Sequence, residues 1–184
     1  MSIPEKLETE RLILRRWLES DLEPFARLNG DKKVMELFPR LLTFEETREF
    51  IEYIEENFDK NQFGLWAVER KDNGQFIGFV GLWKPNFKAS FTPCVEIGWR
   101  LAKEHWGNGF APEAAEAVLE DGFCRIELDE IMAFTSVHNQ KSIRVMEKLR
   151  MKMLDNFEHP QLPEGHFLRP HVRYGIEKSE WQKR

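Results

Sequence analysis

Cysteine and long hydrophobic segments are scarce in this sequence. Of the 184 residues, only Cys94 and Cys124 are cysteines, and they provide neither a disulfide framework nor a paired-cysteine metal motif. Hydrophobic residues make up 41% of the chain, but no stretch approaches the ~18 consecutive apolar residues of a membrane-spanning helix. Residues 1–6 also lack the basic and then apolar order of a secretion signal. These absences predict a cytoplasmic protein with no membrane partner.

An excess of positive charge is also lacking. The chain has 27 Lys and Arg against 32 Asp and Glu, which gives a net charge of −5. Nonspecific binding of nucleic acids depends on Lys and Arg that neutralise phosphates, so we expect no nucleic-acid partner. No repeat or low-complexity linker divides the chain, and its length is typical of one domain. We therefore predict a single domain over residues 1–184, as a monomer or a homodimer.

Hydrophobic patterns and turn signals predict alternating strands and helices. Two capping boxes, Ser20-x-x-Glu23 and Thr43-x-x-Glu46, predict the starts of two helices. Asn73-Gly74 predicts a hairpin, and residues 157–166 are expected to form a polar, proline-bearing loop. Helical spacing of apolar residues predicts two further helices, one from Gly109 and one over residues 140–149. Short apolar runs predict strands at residues 11–17, 63–70, 76–83, 95–101, 131–137 and 167–176.

Together with a second strand at the C-terminal end, these elements give the order β-α-α-β-β-β-α-β-α-β-β, which predicts the class of fold. An antiparallel meander is followed by a β-α-β-α unit, so the sheet should contain both strand directions. We expect an α/β or α+β fold, with a mixed sheet of about seven strands and helices on both faces.

The segment Trp106-Gly-Asn-Gly-Phe-Ala111 joins a predicted strand to a predicted helix. Two glycines in such a turn let backbone N–H groups point into a common space, and the helix N-terminus adds free amides and a positive dipole. The turn suits a pyrophosphate, although a tight turn without a ligand is the alternative. The sequence has no GxxxxGK[ST] motif, and Pro112 occupies a glycine position of the GxGxxG fingerprint. P-loop nucleotidases and dinucleotide-binding units are therefore disfavoured.

These segments resemble the GNAT superfamily of acyl-CoA-dependent N-acetyltransferases. The cofactor pattern Gln/Arg-x-x-Gly-x-Gly/Ala is present as Trp106-x-x-Gly109-x-Ala111, with the Trp of the RimJ/RimL-type branch, which acetylates protein N-termini and small amines. The segment Asn139–Leu149 resembles the same branch through its Asn-x-x-Ser and Glu-Lys-Leu motifs. Two residues depart from the family pattern: Arg150 replaces a helix-ending glycine, and Met146 replaces a tyrosine acid. The resemblance covers nearly the whole chain and implies a mostly antiparallel GNAT-like sheet.

The resemblance implies acetyl-CoA as co-substrate. We expect backbone amides of residues 107–111 to hold its phosphates with little help from Lys or Arg. The residues expected to contact acetyl-CoA are Ile97, Trp99, Trp106, Gly107, Asn108, Gly109, Phe110, Ala111, Asn139 and Ser142.

Acetyl transfer to an amine requires proton transfers, because an ammonium must lose a proton before attack and the departing thiolate gains one. Glu96 lies in an otherwise apolar strand that the resemblance places beside the amine, so we predict that it is the base. A solvated carboxylate at a sheet edge is the alternative. The resemblance places Ser142 near the sulfur, where it is the remaining local donor because Met146 replaces the tyrosine. A local helix cap is the alternative for Ser142.

The acceptor site carries the weakest sequence signal. The spacing of His159, His166 and His171 and the distance of both cysteines argue against zinc, so we predict no metal. The acceptor is expected to be a small amine or a peptide N-terminus, and the net charge slightly favours a cationic one, with Glu158 and Glu164 forming an acidic rim. A non-catalytic acyl-CoA-binding or regulatory module is the alternative function. The residues predicted to contact the acceptor are Trp83, His138, His171 and Tyr174.

Overall fold

The positions of the elements come from a computed structural model that describes residues 3–183. The described residues do not include Met1, Ser2 and Arg184. The prediction of a single domain covers all three, and the prediction on the secretion signal covers the first two. The strands are β1 (Lys6–Glu8), β2 (Leu12–Arg15), β3 (Leu65–Arg70), β4 (Phe76–Trp83), β5 (Glu96–Leu101), β6 (Glu130–Ser136), β7 (Lys152–Glu158) and β8 (Pro170–Glu177). The helices are α1 (Leu22–Asn29), α2 (Phe44–Asn61), α3 (Phe110–Cys124), α4 (Gln140–Lys148) and α5 (Lys178–Trp181), with 3₁₀ turns at Glu19–Asp21 and Lys103–His105.

All eight strands form one sheet in the order β1-β2-β3-β4-β5-β6-β8-β7. Every neighbouring pair is antiparallel except β5 and β6, so the predicted mixed, mostly antiparallel sheet is confirmed. The strand number is eight rather than about seven. The short β1 was missed, and β7 includes Phe157 and Glu158, which we expected in a loop. Both are edge strands with largely exposed side chains, so neither has the alternation of buried and exposed residues that identifies a strand.

Local signals were confirmed at two places and wrong at one. Thr43 and Glu46 form the predicted capping box, with N···O distances of 3.2 and 2.8 Å. The Asn73-Gly74 segment lies between the paired β3 and β4. Arg150 follows α4 in the left-handed region, at φ 60°, so an arginine adopts the conformation usually given by glycine. The Ser20 capping box is absent, because buried Asp21 accepts from Leu18 N and pairs with Arg15 at 2.7 Å.

Helices pack on both faces of the sheet, as predicted. On β4, Phe79 contacts Phe25 of α1 and Phe50 of α2, whereas a Cβ placed on Gly122 of α3 would lie 3.1 Å from Leu82. Residues 79 and 82 point to opposite faces because side chains alternate along a strand. The core therefore has two layers that share the sheet. No helix within residues 3–183 is both long and apolar enough to cross a membrane.

The junction of β5 and β6 is the one parallel contact of the sheet. Among the described residues this ladder consists of a single pair, Glu96 with Met132, supported by a 2.9 Å bond from Met132 N to Val95 O. Beyond it the two strands separate. The opening lies in the middle of the sheet, and it places two clefts beside β5.

Candidate active site

Two clefts meet beside β5. The first, which we call the helix cleft, lies between α4 and the glycine turn before α3 and has a volume of about 590 Å³. The second, which we call the aromatic cleft, extends toward β4 and β8 and has a volume of about 470 Å³. Both volumes lie in the usual range for small-molecule sites. The side chains shared by the two clefts are Leu37, Phe38, Trp99, Asn139 and Ser142.

The glycine turn forms one wall of the helix cleft. Gly107 and Gly109 have φ of 77° and 80°, and Gly109 is the N-cap of α3. An L-residue rarely adopts this left-handed conformation. Because the first backbone N–H groups of a helix have no partner within it, the start of α3 presents free donors to the cleft. This end of α3 is anchored by Glu113, which pairs with Arg11 at 2.6 Å.

Cationic side chains form the opposite wall of the helix cleft, contrary to the expectation of little help from Lys or Arg. Lys141, Arg144 and Lys148 line it, at helical spacing on α4. The Lys141 ammonium also lies 3.8 Å from the centre of the Trp106 ring. The spacing i, i+3, i+7 in a predicted helix was the available sequence signal. Phosphate groups therefore have both backbone donors and positive charges within the helix cleft.

Apolar side chains dominate the aromatic cleft. Its rings come from α2 and the segment before it, from β4 and the loop after it, from β5 and β6, and from β8 and the loop before it. Among the residues that the structure describes, Glu96 is the one charged side chain that lines it. Two of the rings, those of Phe38 and Trp99, also line the helix cleft. The rings that line the aromatic cleft are Phe38, Phe50, Phe79, Trp83, Phe87, Trp99, Phe134, His159 and His171.

Glu96 lies at the start of the opening between β5 and β6. Burial withdraws its carboxylate from water, and this raises the pKa of Glu96 to about 8. The carboxylate therefore exchanges protons near neutral pH, as a general base for an amine requires. Its neighbour Ile97 is buried and lines the aromatic cleft rather than the helix cleft where we expected it.

Ser142 lies where the two clefts join, with its hydroxyl oriented by a neighbour. Trp99 Nε1 donates to Ser142 Oγ at 3.3 Å, so the hydroxyl hydrogen stays available to a ligand. The helix cap is Asn139, whose Oδ1 accepts from Ser142 N at 3.2 Å and whose Nδ2 donates to Thr135 Oγ1 at 3.0 Å. The capping alternative for Ser142 is therefore wrong. The carboxamide of Asn139 is held by protein groups at both ends.

His159 and His171 form a tilted ring pair in the aromatic cleft, with ring centres 4.9 Å apart and an interplanar angle of 45°. Burial, followed by the charge of His171, lowers the pKa of His159 to about 4, and burial also lowers the pKa of His171. Both rings are therefore neutral at pH 7. His171 Nδ1 donates to Arg169 O at 3.0 Å. Within residues 3–183, no group of three or more His, Cys, Asp or Glu is placed to hold a metal ion.

The remaining predicted site residues divide between the clefts. Trp106, Gly107, Gly109, Phe110, Ala111 and His138 line the helix cleft, and Trp83 and His171 line the aromatic cleft. His138 therefore lies on the opposite side from the expected acceptor site. Tyr174 is 8% exposed and part of the core, so packing on β8 removes it from either cleft. Asn108 lies in the glycine turn, where its side chain donates to Trp106 O at 3.2 Å.

The expected acidic rim is absent from the aromatic cleft. Glu158 and Glu164 are exposed, and neither lines the cleft. Glu158 instead pairs with Arg169 at 3.0 Å. Arg100 was missed by the sequence analysis. Its guanidinium lies 4.1 Å from the centre of the Phe38 ring and donates to Asn29 Oδ1 at 2.7 Å, and burial lowers its pKa to about 10.

A cleft that ends at a helix N-terminus and meets a second cleft lined by a carboxylate suits a transferase with two substrates. A family model for the acetyltransferase (GNAT) domain matches residues 11–152. The uncharacterized protein YkkB of Bacillus subtilis (strain 168) is 34% identical over 152 residues, 82% of this chain and 87% of that protein. An acetyltransferase (GNAT family) from Bacillus anthracis has a crystal structure that matches with a TM-score of 0.79 at 27% identity, over 95% of this chain and 99% of that one. The spermidine N(1)-acetyltransferase of Vibrio cholerae is 28% identical over 142 residues, 75% of this chain and 77% of that protein. This chain belongs to the GNAT acetyltransferase family.

Proposed function

We propose that the chain, as one domain over residues 1–184, transfers the acetyl group of acetyl-CoA to a primary amine by direct attack when both substrates are bound. The observation that carries this proposal is the position of Glu96, a carboxylate with a pKa of about 8 that lines the aromatic cleft beside the junction residues Trp99 and Ser142. The RimJ/RimL-like motifs at Trp106–Ala111 and Asn139–Leu149 support a place in that branch. They are consistent with a small amine or a peptide N-terminus as acceptor.

The helix cleft fits acetyl-CoA in both shape and charge. Its left-handed glycines and the free amides of α3 suit a pyrophosphate, and the cations of α4 suit the other phosphate oxygens. When bound there, acetyl-CoA supplies a thioester whose carbonyl carbon takes the amine nitrogen while the thiol leaves. The arm that carries the thioester must reach Trp99 and Ser142, because these residues join the two clefts.

Glu96 and Ser142 divide the proton transfers between them. Glu96 takes a proton from the ammonium, so that the nitrogen lone pair becomes available. Ser142 offers its hydroxyl hydrogen to the departing sulfur, because Trp99 already donates to its oxygen. Over the whole reaction one proton is released to solvent. Holding both reactants in attack geometry supplies the larger part of the rate.

The non-catalytic alternative also binds acetyl-CoA, so turnover is the test that separates the two. Purified protein is mixed with acetyl-CoA and a panel of primary amines at pH 8, and thiol release is measured with a chromogenic disulfide. We expect amine-dependent release that is strongly reduced in Glu96→Gln. Acetyl-CoA binding by calorimetry without release on any amine would establish the binding module instead.

A further inference from the structure

The aromatic cleft has a composition that selects among amines. Among the described residues, Glu96 is the only acidic side chain on its surface, and this carboxyl group is occupied by the reacting nitrogen if the proposed function holds. The remaining surface offers rings, aliphatic groups and neutral polar atoms. The rest of the acceptor therefore meets no second anionic partner.

A set of packed rings, which we call the aromatic wall, lies at the end of the cleft formed by the loop after β4 and by β6, β7 and β8. It consists of Phe87, Phe134, His159 and His171. Phe87 lies 4.7 Å from the His159 ring and 5.6 Å from the Phe134 ring between centroids. These distances are typical of stacked and edge-on aromatic pairs. An aromatic ring of a ligand that enters the cleft can pack against the aromatic wall in the same way.

The aromatic wall is electrically neutral at physiological pH. The pKa of His159 is lowered to about 4 and that of His171 is also lowered, in both cases chiefly by burial. A neutral imidazole beside two phenyl rings attracts neither carboxylates nor ammonium groups strongly. It does offer flat apolar surface, whose burial contributes about 25 cal/mol per Å².

An uncompensated positive charge lies beside the aromatic cleft, although Arg100 itself lines the helix cleft. The Arg100 guanidinium lies over Phe38 at 4.1 Å and Phe79 at 5.4 Å, two rings that line the cleft. Its partner is the neutral amide of Asn29, and no carboxylate within residues 3–183 forms an ion pair with it. Two ring faces that attract cations are therefore already occupied by a cation. This arrangement disfavours an acceptor with several ammonium groups.

We infer that the acceptor is a primary monoamine whose body is an aromatic ring, an arylalkylamine in chemical class, rather than a polyamine or a polar amine. The inference rests on the proposed function for the transfer itself. Glu96 receives the proton of the single ammonium, and the aromatic wall packs against the ring. The relative named for spermidine makes a polyamine the competing outcome.

An amine panel tests this inference by kinetics. The value of kcat/KM is measured with acetyl-CoA for 2-phenylethylamine, tryptamine, ethanolamine, spermidine and an alanine-initiated peptide amide. Burial of an aromatic ring favours binding, so we expect both aromatic amines to exceed the other three by at least ~10-fold. A higher value for spermidine, ethanolamine or the peptide overturns the inference and leaves the proposed function intact.

Paired phenylalanine variants test whether the aromatic wall is responsible. Phe87→Ala should reduce the ratio of kcat/KM for tryptamine to that for ethanolamine by about 10-fold, because it removes a ring from the wall. Phe44→Ala is the matched control, since Phe44 is 48% exposed on α2 and lines neither cleft. An equal ratio in the wild type and the Phe87 variant overturns the role of the wall.

A binding measurement keeps the two proposals distinguishable. Trp83 and Trp99 line the aromatic cleft, so occupancy should quench their fluorescence in the presence of CoA. If no amine is acetylated but 2-phenylethylamine quenches at a concentration at least ~10-fold below spermidine, the proposed function fails and the acceptor class stands. If 2-phenylethylamine quenches no more strongly than spermidine, the inferred acceptor class is overturned, whether or not any amine is acetylated.

Discussion

Among the carboxylates of residues 3–183, Glu96 is distinguished by a pKa that burial raises well above its usual range. The pKa of Glu8, for example, is lowered by its hydrogen bond and its charge pairing with Lys6 and then Lys71, whereas that of Glu96 is raised to about 8. A base with a pKa near the working pH is both ionised often enough and basic enough to take a proton.

This property predicts the pH dependence of the reaction. Because only the ionised carboxylate accepts a proton, kcat/KM for a fixed amine should rise with pH and show an inflection near pH 8. Glu96→Gln should be slower by ~10²-fold at pH 8 and should lose that inflection. Steady-state rates from pH 6 to 9 provide the measurement. Unchanged acetyl-CoA affinity by calorimetry is the control, and identical profiles for the two proteins would remove Glu96 from the mechanism.

Ser142 is expected to have a smaller effect. A thiolate with a pKa of ~8.5 leaves tolerably without a proton, so Ser142→Ala should lower kcat by about 3–10-fold, less than Glu96→Gln does. The same substitution leaves Trp99 Nε1 without its acceptor, so KM for acetyl-CoA should also rise. Parallel kinetics of the two variants at pH 8 measure both effects. A loss from Ser142→Ala that exceeds the loss from Glu96→Gln would reverse their assigned importance.

The glycine turn is an element whose conformation and ligand contacts can be separated by experiment. Gly107 and Gly74 have φ of 77° and 69°, and a Cβ on either would meet no atom within 4 Å. Alanine at either position should cost about 1 kcal/mol through backbone strain. Only Gly107→Ala should weaken acetyl-CoA binding, because only that turn faces the helix cleft. Calorimetry of acetyl-CoA binding and thermal unfolding are measured for both variants. Equal acetyl-CoA affinities of the two variants would show that the glycine turn does not bind the phosphates.

The cationic face of α4 gives a second prediction for an element. Lys148→Ala should weaken acetyl-CoA binding about 2–5-fold at low salt, in line with an exposed charge pair, and the effect should shrink as salt rises. Lys60→Ala is the matched control, since Lys60 occupies the last turn of α2 as Lys148 does that of α4. Binding of acetyl-pantetheine, which lacks the nucleotide phosphates, should be equal in all three proteins. A salt-independent loss would contradict the charge assignment.

Sequence patterns predicted those elements that bury one face. The residues Ala114, Ala115, Val118 and Leu119 of α3 are fully or almost fully buried, and their spacing was sufficient to predict that helix. The edge strand β7 bears largely exposed side chains, so its alternation has no apolar signature. Its position depends on pairing with β8, which is a long-range contact that no local pattern encodes.

The candidate site was predictable to the extent that it depends on local motifs. The glycine turn and the segment from Asn139 to Ser142 are short and contiguous, and the structure places both beside one cleft. The aromatic wall joins Phe87, Phe134, His159 and His171 from four separate segments, so only the fold assembles it. The error over Tyr174 has the same origin, because alternation along β8 directs Tyr174 into the core and leaves His171 in the cleft.

At the scale of the whole molecule, the proposed base Glu96 lowers the stability of the fold in the pH range in which the proposed reaction uses it. Glu96 is protonated in the folded state up to about pH 8, whereas an unfolded glutamate ionises above ~4.3. Between these values the folded state binds more protons than the unfolded state, so the free energy of unfolding falls as pH rises. His159 acts in the opposite direction: its folded pKa of about 4 makes stability fall as pH decreases below ~6.5.

Glu96→Gln should therefore be more stable than the wild type, by an amount that grows with pH. Near pH 4 both side chains are neutral and the midpoints of thermal unfolding should agree. Each pKa unit corresponds to about 1.4 kcal/mol, and partial solvent access reduces the effect, so we expect about 1–2 kcal/mol at pH 8, or about 2–8 °C in Tm. Glu164→Gln, at an exposed position outside both clefts, should match the wild type throughout. Scanning calorimetry from pH 4 to 9 measures this difference. If the stabilisation of Glu96→Gln is constant with pH, or greatest at pH 4, burial does not hold the proton on Glu96. The assignment of Glu96 as the base would then fail as well.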